Sequence, residues 1–198
     1  MSKGFLLVTM EPPASLEEEF NDWYDTEHVP ERLAVAGFET ATRYVCTAGW
    51  PRYVAFYDLS SPEVIDSSGY RAISGDRFSP WTKRMLTRVR GFYRVYGEQI
   101  YPGPALSLTA GRVLMLRARA SSEIPVADWI ETARRTFDSR SDFRQLRIFK
   151  GAAALGGDLL ALVELDVAPA PAAIDVSRFG ALSRHIDLCN EYLRYSIG

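Results

Sequence analysis

The chain repeats itself. Asp22-Trp23 recurs as Asp128-Trp129, and Ala55-Phe56-Tyr57-Asp58-Leu59 recurs as Ala161-Leu162-Val163-Glu164-Leu165, both at an offset of 106 residues (Trp23 to Trp129, Ala55 to Ala161). Lys3-Gly4-Phe5-Leu6-Leu7-Val8 returns more loosely as Ala110-Gly111-Arg112-Val113-Leu114-Met115, and Ile65-Asp66 as Ile174-Asp175 after a three-residue insertion. A near-constant spacing across separate motifs marks two copies of one unit. A length of 198 residues suits two small units. The expected units are 1–99 and 108–198, with Pro102-Gly103-Pro104 marking the linker between Gly97 and Gly111.

Each copy reads strand, helix, strand, strand, helix, strand. In the first, residues 3–10 form a strand; Leu16, Phe20, Trp23, Tyr24 and Glu27 then recur at helical spacing. Ser15 with Glu18 three residues on reads as a capping box. Pro30 disturbs this helix, and Gly37 ends the segment after it. Strands follow over 38–47 and 52–60, then a helix from Pro62 capped by Ser61, a turn at Pro80-Trp81, and a strand over 90–97. The second copy predicts strands at 112–119, 143–150, 158–167 and 190–197, and helices at 125–138 and 175–189; Ala168-Pro169-Ala170-Pro171 is a local loop.

This order is the ferredoxin-like βαββαβ arrangement, a four-stranded antiparallel sheet with both helices on one face. The expected fold is therefore α+β: two tandem ferredoxin-like units whose bare sheet faces pack together as an α/β barrel around an enclosed hollow. Leu159 to Leu165 is nearly continuous in apolar residues, and Tyr53 to Leu59 breaks only at Asp58. Strands with one wet face alternate more cleanly. Two closures fit, one within the chain and one between the chains of a homodimer.

Composition narrows the partners. A net charge of −2 and the lack of a basic stripe speak against nucleic acid. No stretch is long enough to span a bilayer, and the short apolar run Phe5–Met10 is no signal core, so the expected location is cytoplasmic, without a membrane. Cys46 and Cys189 are far apart and form no metal or disulfide pattern, so buried reduced thiols are expected.

The chemistry concentrates in Asp22-Trp23-Tyr24-Asp25-Thr26-Glu27-His28-Val29-Pro30-Glu31-Arg32-Leu33. His28 is one of two histidines and titrates nearest neutrality. On a helix Tyr24 and Asp25 neighbour it, so Asp25 could orient a general base or acid; the alternative is a capping histidine bonded to a backbone carbonyl. Glu27 shares the aromatic face, either as a raised carboxyl or as a salt-bridge partner of Arg32 or Arg43. Trp23, Tyr24, Phe56, Trp81, Phe92 and Tyr96 suit either a flat apolar pocket or plain core. Arg43 and Arg94, on apolar strands, want anionic partners, either a ligand, which makes Arg43 a substrate-binding candidate, or Asp58 or Glu164, the expected ones. The second copy places Arg134 where His28 would repeat, so one half carries chemistry and the other is structural. His185 reads as a surface or packing residue. No GxGxxG, Walker, GxSxG or HExxH pattern occurs, so no metal site and no tightly held cofactor is expected, haem ligation by His28 being the one exception left open.

The stretch from Glu19 to Leu33, followed by Ala36-Gly37-Phe38 and Arg43-Tyr44, resembles the dimeric α/β-barrel superfamily, and within it the EthD-like branch. Ala36 stands where that pattern often has proline. The resemblance implies a barrel with a pocket between sheet and first helix. It also implies relatives as varied as cofactor-independent monooxygenases, cyclases, isomerases, dehydratases and haem-handling proteins, so it fixes no reaction. The expected function is proton transfer by His28, with Asp25 or Glu27 orienting it, on a hydrophobic, aromatic or polyketide-like small molecule. A non-catalytic binding or accessory protein is the alternative; a stress-associated homo-oligomer with a filled barrel is a third.

Overall fold

A computed structural model describes residues 2–119, 123–167 and 175–196. Eight strands, β1 (Gly4–Glu11), β2 (Phe38–Ala48), β3 (Tyr53–Leu59), β4 (Arg90–Tyr101), β5 (Arg112–Ala118), β6 (Phe143–Gly151), β7 (Leu159–Leu165) and β8 (Ile186–Arg194), form one closed antiparallel barrel. Its circular order is β1-β3-β2-β8-β5-β7-β6-β4, so the N-terminal four strands run 4-1-3-2 and the C-terminal four run in the same relative order. The seams are β2 with β8 (Tyr44 opposite Arg194) and β4 with β6 (Gly97 opposite Gly151). Gly97 is obligatory there, because a Cβ would sit 2.1 Å from the Lys150 carbonyl oxygen. Closure is within the chain and leaves no free sheet edge.

Helices α1 (Glu17–Trp23), α2 (Val29–Leu33), α3 (Ser68–Arg71) and α4 (Pro80–Leu86) lie outside the N-terminal strands, and α5 (Val126–Phe137) outside the C-terminal ones. Alternation along each strand therefore feeds two apolar layers. On β1, Phe5 and Leu7 point into the barrel while Leu6, Val8 and Met10 face the helices. The barrel interior is packed: Phe149 lies 4.8 Å from Phe5 and 5.1 Å from Phe56, centroid to centroid, with Tyr44, Met115 and Tyr192 in the same cluster. Large aromatics from both halves fill the middle of the barrel, where an enclosed hollow was expected; the space between the halves is instead a cleft of about 550 Å³ at one end, lined by Thr9 and Tyr93 from one half and Arg117 and Leu188 from the other.

Local expectations were corrected where short-range signals competed. Ser15 lies inside a 3-10 turn, Ala14–Leu16, and makes no capping bond to α1. The helix expected from Pro62 divides into a 3-10 turn over Pro62–Asp66 and α3, whose cap is Ser67 rather than Ser61. Pro80-Trp81 opens a true helix, α4, capped by Ser79. The last helix is a 3-10 segment, Val176–His185, broken at Gly180 (φ +55°), so β8 starts four residues earlier, at Ile186. The Ala168–Pro171 loop and Ile174 lie outside the described residues. No helix of the described residues is long and apolar enough to cross a membrane.

Candidate functional site

Pro30 shapes the site. It has no N–H to donate, and its ring would collide with the carbonyl four residues back. The chain answers with a π-turn over Tyr24–His28, in which the Val29 N–H donates to the Tyr24 carbonyl, and then resumes as α2. Such widened turns recur at functional sites. The widening sets residues five apart above one another: the Trp23 and His28 rings are 4.3 Å apart, and Tyr24 meets His28 edge-on at 5.1 Å.

His28 lines a cavity of about 390 Å³ between the N-terminal strands and their helices. Its floor is Leu6, Val8 and Met10 of β1 with Tyr57 of β3; Arg94 and Tyr96 of β4 form one wall, and His28 and Arg32 another. The segment from Ile65 to Leu86 contributes Tyr70, Ser74, Gly75 and Phe78. The mouth opens beside Gly75 and Phe92, the latter 51% exposed. The size is that of a site for one small molecule.

The imidazole is 7% exposed, makes no side-chain hydrogen bond among the described residues, and has an orphaned Nδ1. Burial first, then the Arg32 and Arg43 charges, hold it neutral well below the usual histidine range. The ring therefore stays neutral across the physiological range with a lone pair free for a donor in the cavity, and the same burial and neighbouring charges make it a weak base. The Tyr57 hydroxyl is also buried without a partner, and burial raises it well above the usual phenol range.

The structure places the other sequence-derived candidates as follows. Phe92 stands at the cavity mouth. Trp23 is buried behind the imidazole, its indole N–H donating to Thr82 Oγ1 at 3.0 Å. Tyr24 packs among Phe20, Trp23 and the Met10 sulfur, and burial pushes its hydroxyl up to about 12. Asp25 turns away from His28 and accepts from Arg43 at 2.5 Å, so it does not orient the imidazole. Arg43 also donates to Asn21 and lies over the rings of Tyr24 and Tyr195, at 4.5 and 4.1 Å; its partner is Asp25, not Asp58 or Glu164. Glu27 accepts from the Ser79 hydroxyl at 2.5 Å and pairs with neither arginine. Trp81 donates to Glu19 at 3.2 Å on the α1–α4 contact. Phe56 lies inside the barrel, facing away from the cavity that its neighbour Tyr57 lines.

Arg32 and Tyr57 also belong to the cavity, which the apolar pattern of the sequence does not mark. Arg32 carried a signal, being four residues from His28 on the helical face. In the C-terminal half, Arg134 pairs at the surface with Glu131 and Asp138, and His185 meets Arg184 at 3.1 Å, away from the cavity. Both cysteines are free, and burial pushes Cys189 up to about 11. Among the described residues, no three His, Cys, Asp or Glu side chains gather as metal ligands.

No family model and no curated protein matches the chain. Solved structures do. A protein described as anthrone oxidase-like superposes with a TM-score of 0.66 at 11% identity, over 98% of this chain and 92% of that one. A chlorite dismutase candidate gives 0.58 at 7% identity, covering 98% and 96%. A candidate monooxygenase from Lactobacillus acidophilus gives 0.54 at 7% identity, covering 98% and 94%. What is shared is the fold. This chain has an α+β fold with a closed eight-stranded antiparallel barrel, similar to the barrels of these structures.

Proposed function

We propose that this chain is a small-molecule enzyme of the EthD-like branch, acting in the cytoplasm without a tightly held cofactor. Its N-terminal unit, 1–99, carries the chemistry, and its C-terminal unit, 108–198, is a degenerate repeat that completes the barrel. His28 takes a proton from a hydrophobic, aromatic or polyketide-like carbon acid. The observation that carries this reading is the neutral, unpartnered imidazole on the wall of an apolar cavity. Arg32, beside it on the same cavity, stabilises the enolate that forms. Trp23 and Tyr24 hold the ring from behind rather than touching substrate.

The fold likeness to an anthrone oxidase-like protein supports a monooxygenase outcome. In that reaction anthrone loses a proton from its methylene carbon, and the enolate reacts with O₂. The products are anthraquinone and water, so the substrate supplies both electrons that reduce the second oxygen atom. The shared first step is tested without oxygen, by following exchange of the methylene protons of anthrone in D₂O by NMR. Wild type should accelerate exchange, and His28→Asn should reduce that acceleration by about a hundredfold or more. Equal rates would remove the catalytic role. Binding without exchange would favour a carrier of the same fold.

A further inference from the structure

The cavity wall has two cations and no carboxylate. Arg32 is already matched, donating to Glu31 at 2.9 Å. Arg94 is not. Its one side-chain hydrogen bond among the described residues goes to the Tyr70 hydroxyl, at 3.1 Å, and no carboxylate of those residues lies within 4.0 Å. Arg43, Arg112, Arg117 and Arg147, each buried, all have a carboxylate partner. Arg94 is half-buried on β4 beside the apolar floor, opposite Val8, and its guanidinium stands 4.9 Å from the Tyr96 ring centre. The guanidinium, donating to Tyr70, lacks the anion that such a group takes.

We infer that the ligand of this cavity bears a carboxylate, and that Arg94 grips it while the hydrophobic body lies on Leu6, Val8 and Met10. The inference rests on the small-molecule reading of the site and names the class of molecule: a flat, apolar acid. A planar carboxylate matches a single guanidinium fork through two parallel hydrogen bonds. Because Tyr70 accepts from Arg94, its own hydroxyl proton is free to donate to the same oxygen. Binding at Arg94 sets the acid's charge against the unmatched cation.

Calorimetry on the intact protein near neutral pH tests this with 2-naphthoate and its neutral isostere 2-naphthamide. The acid should bind about tenfold tighter or better, as expected for a charge-assisted pair in a partly desolvated site. Arg94→Gln should erase the preference while leaving the amide's affinity in place. Arg94→Lys, which keeps the charge but loses the fork, should retain only part of it and serves if the glutamine variant does not fold. His28→Asn should keep the preference. Equal binding of the two probes, failure of the acid to bind, or a preference surviving in Arg94→Gln overturns the inference. Anthrone has no carboxylate for Arg94 to grip, so its proton exchange is a separate readout: no acceleration by wild type, or equal rates in His28→Asn, with the acid preference intact would overturn the catalytic reading and not this one.

Discussion

Asp58 and Glu164 approach one guanidinium, that of Arg147, from the two halves of the chain. Arg147 Nη1 is 2.5 Å from Asp58 Oδ1, and Nη2 is 3.6 Å from Glu164 Oε1, with all three side chains essentially out of solvent. The linker completes the cluster: the Ser107 N–H donates to Asp58 at 3.1 Å and the Leu108 N–H to Glu164 at 2.9 Å. The segment that sequence marks as a connection is thereby tied to strands of both halves. Removing the cation leaves two buried carboxylates without a counter-charge. Arg147→Met should lower the free energy of unfolding by about 3–5 kcal/mol, measured by urea titration. A loss under about 1 kcal/mol would mean that water or protonation compensates the acids, and the cluster would not be what joins the halves.

Glu27, which sequence places among the catalytic candidates, acts on the cavity wall through Ser79. That hydroxyl donates to Glu27 and accepts from the Thr82 N–H at the start of α4. Glu27→Ala frees the cap and should cost about 1–2 kcal/mol in thermal unfolding. Because the segment before α4 supplies Ser74, Gly75 and Phe78 to the cavity, ligand binding should weaken while turnover of bound substrate stays near wild type. A drop in turnover with unchanged KM would instead put Glu27 in the proton transfer itself.

How far the sequence spoke follows from what each signal physically encodes. Strand order and the paired apolar faces were legible because the same motifs occur twice and strands buried on both sides show no polar alternation. That same lack of alternation hid which face was which. Phe56 and Tyr57 are consecutive and both buried, so pattern could not say that one fills the barrel while the other lines the cavity. Pro30 announced a disturbed helix, but only three-dimensional packing decides between a break and a widened turn. The short helices were read poorly: α3 and the 3-10 turns run three to five residues, too few for periodicity, and tertiary packing sets them. The cavity's charge imbalance was invisible, because it depends on which arginines found partners. Arg43 found Asp25, eighteen residues back, whereas Arg94 found none among the described residues.

Phe92 offers a test of the cavity mouth that leaves the core alone. It is half-exposed at the start of β4, so Phe92→Ala should change stability by no more than about 0.5 kcal/mol. Its ring is apolar surface against any ligand that enters. The affinity for 2-naphthoate should fall by about tenfold, the expected loss when a large apolar contact is truncated. Unchanged affinity in calorimetry would place the entrance elsewhere.

The buried neutral imidazole makes a prediction about acid. In the unfolded chain His28 takes up a proton below about pH 6.5. In the folded protein burial, Arg32 and Arg43 keep it neutral well below that value. The unfolded state thus binds the extra proton over the interval between the two, and stability must rise with pH across it and level off above about pH 6.5. One such group contributes at most about 1.4 kcal/mol per pH unit. Urea unfolding of wild type from about pH 7.5 down to 5 should show this loss, and His28→Gln should flatten it by close to one proton while the carboxylates still act at lower pH. The same displacement moves the acid limb of anthrone exchange below the ordinary histidine range, so activity should persist at pH values where an exposed imidazole would already be protonated. Parallel stability slopes for wild type and His28→Gln would show that the ring titrates freely, and a base sequestered by burial would then be the wrong description of this site.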